Sequence, residues 1–331
     1  MLKKEIDLMR PTDIYNKVLM LRELDGIKFY RRFYREFVDI DCPACGGESS
    51  FIFKKYKFSH KRCKRCQTLF CSPRPTDNLL SFFYNQFESP RLWTEMLVTA
   101  DRERKALQYK PRVEKIIAIM KNENKGNGGI ALDIGAGSGA FSLALKNSGY
   151  FNEVIAMDLS EDCIKVCRES GLNTCLGTID NVASSSVDFI CVNDLIEHLF
   201  DPLVFLQDCF RVLRPKGYLS IATPNGEGFD FKILKEQTGN ITPPEHLNYF
   251  NTLSIDILLC RVGYEIISID TPGILDVDII LRKKDAGFKV NDKNEYLDFL
   301  LGQEESILKE FQRFLSDNKL SSHMLIMAKK T

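Results

Sequence analysis

The sequence predicts an α/β protein built on a mostly parallel sheet, with a small cysteine-rich module ahead of it. Three observations point there. From residue 130 onward, short apolar runs alternate with amphipathic stretches, and such alternation with buried strands gives a parallel sheet covered on both faces. One run opens into Leu132-Asp133-Ile134-Gly135-Ala136-Gly137-Ser138-Gly139, a glycine-rich turn by which a strand passes into a helix beneath a ligand. Finally, Cys42, Cys45, Cys63 and Cys66 form two Cys-x-x-Cys pairs in a short polar stretch.

Composition bounds the answer. The chain has 331 residues, 44% of them hydrophobic, enough for one large domain with a small companion. Its 45 basic and 45 acidic residues cancel, which counts against a polyphosphate-coating or anionic-membrane role. No apolar run reaches the roughly 18 residues of a membrane span. The start, Met1-Leu2-Lys3-Lys4-Glu5-Ile6-Asp7, carries acid where a secretory signal needs an apolar stretch. The expectation is a cytoplasmic protein. Of its 11 cysteines, the scattered six, Cys163, Cys167, Cys175, Cys191, Cys209 and Cys260, read as small buried hydrophobes.

Taken in order, residues 1–40 read as an N-terminal helical segment. Phe29, Phe33 and Phe37, with Tyr30 and Tyr34 beside them, form a stripe that docks on a neighbouring domain; the interleaved Lys28, Arg31, Arg32 and Arg35 leave nucleic-acid stacking as the rival. Residues 41–78 form the cysteine module, closing in Ser72-Pro73-Arg74-Pro75. Residues 79–129 are a helical connector and linker; Pro111 opens a helix with Val113, Ile116, Ile117 and Met120 on one face. The catalytic domain is 130–331. Its strands are expected at 130–134, 154–158, 174–176, 187–192, 218–222, 265–269 and 324–328, with a helical insertion at 274–320.

Two Cys-x-x-Cys knuckles place four thiolates around a tetrahedral zinc. Gly46 lets the first knuckle curl, and metal binding supplies the folding energy that so short a segment lacks. A closed shell of four sulfurs makes the ion structural; His60 as a substitute ligand is the minor alternative.

The glycine turn suits any nucleoside cofactor, and Asp158, at the end of the second strand, can accept two ribose hydroxyls. Asp133, two positions before Gly135, discriminates among them. A carboxylate there repels a pyrophosphate but favours the ammonium and sulfonium of S-adenosylmethionine.

Further along come Val187-Asp188-Phe189-Ile190, Asn193-Asp194-Leu195-Ile196-Glu197-His198-Leu199 and Arg211-Val212-Leu213-Arg214-Pro215-Lys216-Gly217. With these the chain resembles the Rossmann-like, class I S-adenosylmethionine-dependent methyltransferases over about residues 110–270 plus the last strand. The cysteine module resembles the zinc ribbon that precedes some bacterial members. The resemblance implies a seven-stranded sheet with its last strand antiparallel, and S-adenosyl-L-methionine as cofactor. Carried across, Asp133, Gly135 and Gly137 line the methionyl portion, Asp158 holds the ribose and Asn193 stands near the methyl group. The adenine contact falls on Asp180, although Thr178 stands where relatives carry the acid.

Transfer to a hydroxyl needs positioning and loss of a proton, for which a histidine is suited. His246, in Thr242-Pro243-Pro244-Glu245-His246, lies where relatives bind acceptors, with Glu245 as a candidate to orient it. The rival role for His246 is structural; Glu197 and His198 are adjacent on an expected helix and so face different directions, with His198 packing or standing at the active-site rim, and a structural role is expected for His323. The reading is O-methylation of a glycan, nucleotide sugar or other small metabolite. The alternatives are a sugar C-methyltransferase, an RNA methyltransferase gripping RNA through the ribbon, and a non-catalytic cofactor-binding module. The insertion at 274–320 either caps the acceptor or forms a homodimer interface.

Overall fold

The computed structural model describes residues 11–99, 105–123, 128–287 and 295–331. The first ten residues of the predicted N-terminal helix, the linker residues 124–127 and residues 288–294 of the insertion lie outside the described residues.

Helix α1 (Thr12–Phe33) ends earlier than the predicted residue 40, passing into a 3₁₀ turn, Tyr34–Glu36. Strands β1 (Ser49–Lys55) and β2 (Phe58–Cys63) form a hairpin. Its two turn residues, Tyr56 and Lys57, both have positive φ, the twist that matches a two-residue hairpin loop. Strand β3 (Leu69–Cys71) follows, then helices α2 (Asp77–Gln86) and α3 (Glu88–Thr99). A π-helical turn, Lys105–Tyr109, leads into α4 (Lys110–Glu123), so the helix expected to open at Pro111 begins one residue earlier.

The α/β portion then runs β4 (Ile130–Ile134), α5 (Ala140–Asn147), β5 (Glu153–Asp158), α6 (Glu161–Glu169), β6 (Asn173–Leu176) and β7 (Val187–Asn193). It continues with α7 (Pro202–Val212), β8 (Leu213–Pro224), α8 (Phe229–Leu234), β9 (Asn248–Tyr249), α9 (Thr252–Val262) and β10 (Tyr264–Asp270). The insertion supplies α10 (Asp276–Asp285), α11 (Glu295–Leu301) and α12 (Glu305–Asp317) before β11 (His323–Lys330).

Seven strands form one sheet in the order β10-β11-β8-β7-β4-β5-β6. All pairs from β8 to β6 are parallel, whereas β11 is antiparallel to both its neighbours. The α/β class, the seven strands and the reversed last strand therefore all stand. Strand alternation explains the two cores. Leu132, Ile134, Ile190, Val192, Ile221 and Ile326 face α7 and α9, while Ala131, Phe189, Cys191, Tyr218 and Leu325 face α4 and α5. Each fully buried large side chain there contributes about 1.5–3 kcal/mol. The largest boundary difference is β8, which starts at Leu213 and not at 218; Lys216, with φ of 66°, breaks the register and hides the strand's first half from an apolar pattern. Of the scattered cysteines, Cys167, Cys191 and Cys209 are buried as expected, but Cys260 is exposed.

The smaller sheet, β1-β2-β3-β9, takes its last strand from far along the chain. Leu69 faces Tyr249 and Phe70 faces Asn248 in an antiparallel pair. Arg74, from the Pro-Arg-Pro stretch, seals this junction. Fully buried, it donates to the carbonyls of Cys71 and Phe200 and to Asn248 Oδ1 at 3.0, 3.0 and 2.9 Å. The cysteine module is thus sewn to the segment that carries His246. The aromatic stripe is packed inside except at Tyr34, which is exposed: Phe29 is buried against Phe33, Phe37, Phe83 and Phe87, and Tyr30 meets Phe58.

Candidate functional site

The carboxyl ends of β4, β5, β7 and β8 meet at one edge of the sheet, where open α/β sheets bind ligands. At the tip of β4 the turn folds back on β5 as Gly135 and Ala136 both donate to the Met157 carbonyl, at 2.9 and 3.0 Å. Gly135, Gly137 and Gly139 all have positive φ. Two of them serve different ends. A Cβ at Gly139 would lie 2.8 Å from both Cys167 Sγ and Leu172 Cδ1, so this glycine permits helix packing. A Cβ at Gly137 would meet nothing within 4 Å, so its bare backbone faces open space where a ligand can approach.

Asp158 braces that turn. Its Oδ2 accepts from Gly137 N and its Oδ1 from Ser160 N, each at 2.9 Å. Each oxygen keeps further acceptor capacity for a ribose hydroxyl. Asp133 lies buried behind the turn, accepting from Ser142 Oγ at 2.6 Å and from the Cys191 thiol at 3.3 Å. Burial pushes its carboxyl up to about 6, against these hydrogen bonds. Asn193, at the end of β7, accepts from Arg112 Nη1 at 2.8 Å, a partner with no local sequence signal. Asp180 sits in a 3₁₀ turn, Ile179–Asn181, with its side chain exposed. The neighbouring Gly177 N donates to the Asp158 carbonyl at 3.1 Å, so this turn adjoins Asp158.

Beyond Asn193 the chain turns through Asp194, at φ 49°, into a 3₁₀ turn, Ile196–His198. Glu197, His198 and His246 converge, with their ligand-capable atoms all within 4.8 Å of one another. The two imidazoles stand edge to face at 4.6 Å. His246 Nδ1 donates to the Asn240 carbonyl at 2.8 Å, which leaves Nε2 as the acceptor of the neutral ring. Burial, then His198 and Arg22, hold His246 well below its usual pKa. Burial likewise lowers His198, to about 4, and raises Glu197, to about 8. His198 Nδ1 lies 2.7 Å from the Tyr84 hydroxyl.

Two expectations change here. Glu245 does not orient His246: both its oxygens are taken by Arg22, with Nε at 2.9 Å and Nη2 at 2.6 Å, in a buried bidentate pair. The guanidinium also lies 4.2 Å over the Trp93 ring. Glu245 is therefore a strut holding the histidine loop against α1. Arg22→Met leaves that carboxylate buried and unpaired, and is expected to cost about 3–5 kcal/mol in urea unfolding. Glu197 and His198, expected on a helix and facing apart, lie in a 3₁₀ turn and converge with His246. His323, expected to be structural, contacts Asp194 Oδ1 at 2.9 Å.

The four cysteines form a second centre. Cys42 and Cys66 sulfurs are 3.4 Å apart, Cys45 and Cys63 3.5 Å, and all four lie within 4.8 Å of each other. Zinc–sulfur bonds of about 2.3 Å require sulfurs about 3.8 Å apart at tetrahedral corners, so the set fits one ion with small adjustments. Gly46, at φ 67°, makes the first knuckle, and Gln67, at φ 61°, does the same in the second. The Cys42 thiol and the Thr68 hydroxyl both lower the pKa of Cys66. His60 is no ligand of this set: it is fully buried, 3.3 Å from Cys71 Sγ. No helix among the described residues is long and apolar enough to cross a membrane.

Residues 132–221 match the family model described as "Methyltransferase domain". The chain is 37% identical over 92 residues to a protein of Mycolicibacterium smegmatis described as "Probable S-adenosylmethionine-dependent methyltransferase", covering 27% of this chain and 32% of that one. It is 30% identical over 107 residues to a ubiquinone biosynthesis O-methyltransferase of Xanthomonas oryzae pv. oryzae, covering 30% and 44%. The chain thus spans less than half the length of either relative. Among solved structures, a SAM-dependent methyltransferase from Archaeoglobus fulgidus is 20% identical, with 67% of this chain and 92% of that one covered and a TM-score of 0.45. By its strand order, its glycine turn and the family match, the segment over residues 132–221 is a methyltransferase domain of the Rossmann-like, S-adenosylmethionine-dependent class I.

Proposed function

We propose that the chain transfers a methyl group from S-adenosylmethionine to a hydroxyl of a small polar acceptor, such as a glycan, a nucleotide sugar or another metabolite. The observation that carries this reading is the pairing of two features at one sheet edge: a buried carboxyl, Asp133, behind the glycine turn, and the imidazoles of His198 and His246 beyond the next strand tip. An ammonium brought near Asp133 offsets the burial that disfavours its charge, whereas a pyrophosphate adds to the penalty. In this reading Gly135, Gly137 and Asp133 receive the methionyl end, Asp158 the ribose, Asp180 the adenine edge, and Asn193 lies nearest the methyl group. The sulfurs of Cys42, Cys45, Cys63 and Cys66 hold zinc as a structural ion.

The transfer is a displacement: an O–CH₃ bond forms as the S–CH₃ bond breaks, leaving S-adenosylhomocysteine. The hydroxyl proton passes to the neutral His246 imidazole at Nε2. Oxygen as the methylated atom is supported by the O-methyltransferase relatives. The test is calorimetric titration with S-adenosylmethionine, followed by turnover assays with nucleotide sugars and small hydroxylated metabolites. Cofactor binding with S-adenosylhomocysteine release only in the presence of a hydroxylated acceptor is the expected result. His246→Ala is expected to slow turnover by about 10²-fold or more while cofactor affinity holds. Equal rates would remove the imidazole from the chemistry.

A further inference from the structure

We propose that Glu197, His198 and His246 form a second metal site, one that takes a single divalent transition-metal ion with coordination positions left open. Two imidazoles and one carboxylate are the protein ligands of open, catalytic-type divalent sites, unlike the closed four-thiolate set. The convergence is not a product of sequence adjacency, since His246 reaches the pair from a loop 48 positions beyond His198.

A second observation points to a missing ligand. Glu197 is 1% exposed, and its Oε1 has no hydrogen-bond partner among the described residues. A buried, unpaired carboxylate oxygen is costly, and a cation beside it removes the deficit. The three groups are also held from behind in the manner of metal ligands. Glu197 Oε2 accepts from Thr223 Oγ1 at 2.9 Å, His246 Nδ1 donates to the Asn240 carbonyl, and His198 Nδ1 meets the Tyr84 hydroxyl. Asn240 is itself fixed, its Nδ2 donating to Asp230 Oδ2 at 2.9 Å. A spread of 4.8 Å between ligand atoms closes onto bonds of about 2.0–2.2 Å with modest side-chain rotations. Both histidines are only half-buried, so the open positions face solvent, where an acceptor enters.

The site's use, though not its existence, rests on the methyl-transfer reading. An acceptor hydroxyl bound to the cation becomes more acidic and releases its proton to water, and the resulting oxyanion attacks the methyl group. His246 Nε2 thus accepts the proton directly in the metal-free site and serves as a ligand in the loaded one.

The test uses the full chain carrying one zinc at the four cysteines and dialysed free of other divalent ions. Manganese(II) is titrated in, and the loss of the free-ion electron paramagnetic resonance signal is followed. One manganese per chain is expected, with Co²⁺ competing for the same site at higher affinity. Glu197→Gln and His246→Gln are each expected to weaken binding at least tenfold, with circular dichroism confirming that each variant is folded. His246→Gln, at a half-buried position, keeps the test alive if Glu197→Gln does not fold. Absence of any cation beyond the thiolate zinc, or unchanged binding in both variants, overturns the proposal. Turnover separates it from the broader reading. Methyl transfer at full rate without added cation overturns the metal's use and leaves the enzyme reading standing. Manganese binding without methylation of any hydroxyl supports the site and counts against that reading.

Discussion

Asp158→Ala is expected to lower S-adenosylmethionine affinity by at least about 100-fold, read by calorimetry. Two hydrogen bonds from ribose hydroxyls to a carboxylate contribute about 1.5–3 kcal/mol each, and about 2.7 kcal/mol already corresponds to 100-fold. The loss has a second source. Asp158 Oδ2 also accepts from Gly137 N, so removing the carboxylate frees the turn whose backbone faces the ligand. Asp158→Asn separates the two: an amide oxygen still accepts from Gly137, so affinity is expected to fall less than in the alanine variant. Equal, near-normal affinity in both variants would place the ribose elsewhere.

On the proposed zinc reading, Cys63→Ser is expected to release the ion and unfold the β1–β3 module, with consequences at the histidine loop. A structural zinc contributes on the order of 10 kcal/mol to the folding of a small domain, as much as a whole domain's net stability. Cys63 is fully buried at the end of β2, in the sheet that β9 completes. Without β3, the Asn248–Tyr249 strand loses its only ladder partner among the described residues. Hydrogen exchange at the amides of residues 248–249 is therefore expected to rise, and acceptor turnover to collapse. S-adenosylmethionine is expected still to bind, though less tightly, because the glycine turn belongs to the other sheet while Cys63 and Phe70 of the module pack on the same core as Leu132 and Ile134. Undiminished protection at β9 in the zinc-free variant would show that the module is an independent appendage.

The parts of this architecture that could be read from sequence are those encoded over a few consecutive residues. The apolar runs at 130–134, 154–158 and 187–192 each became a strand because strands buried on both faces carry a continuous signature. Asp133, Gly135 and Gly137 share one turn, and both cysteine knuckles are local. The partner of Glu245 was out of reach, since Arg22 lies 223 positions away and nothing local selects it. The convergence of His198 with Glu197 was hidden because Asp194 takes a positive φ and the following residues form a 3₁₀ turn. The position of His323 could have been read from topology. An antiparallel last strand must start where the parallel strands end, which puts residue 323 on the ligand edge.

The groups gathered at the histidine cluster come from several quarters: Tyr84 from α2, Glu197 and His198 from the turn after β7, and His246 from the loop before β9, itself tied to α1 through Glu245 and Arg22. Tyr84, His246 and Arg22 lie outside residues 132–221, whereas the glycine turn, Glu197 and His198 lie within them. A change in the flanking helices therefore reaches the histidine cluster without touching the glycine turn, so on the proposed reading acceptor choice is adjustable apart from donor binding.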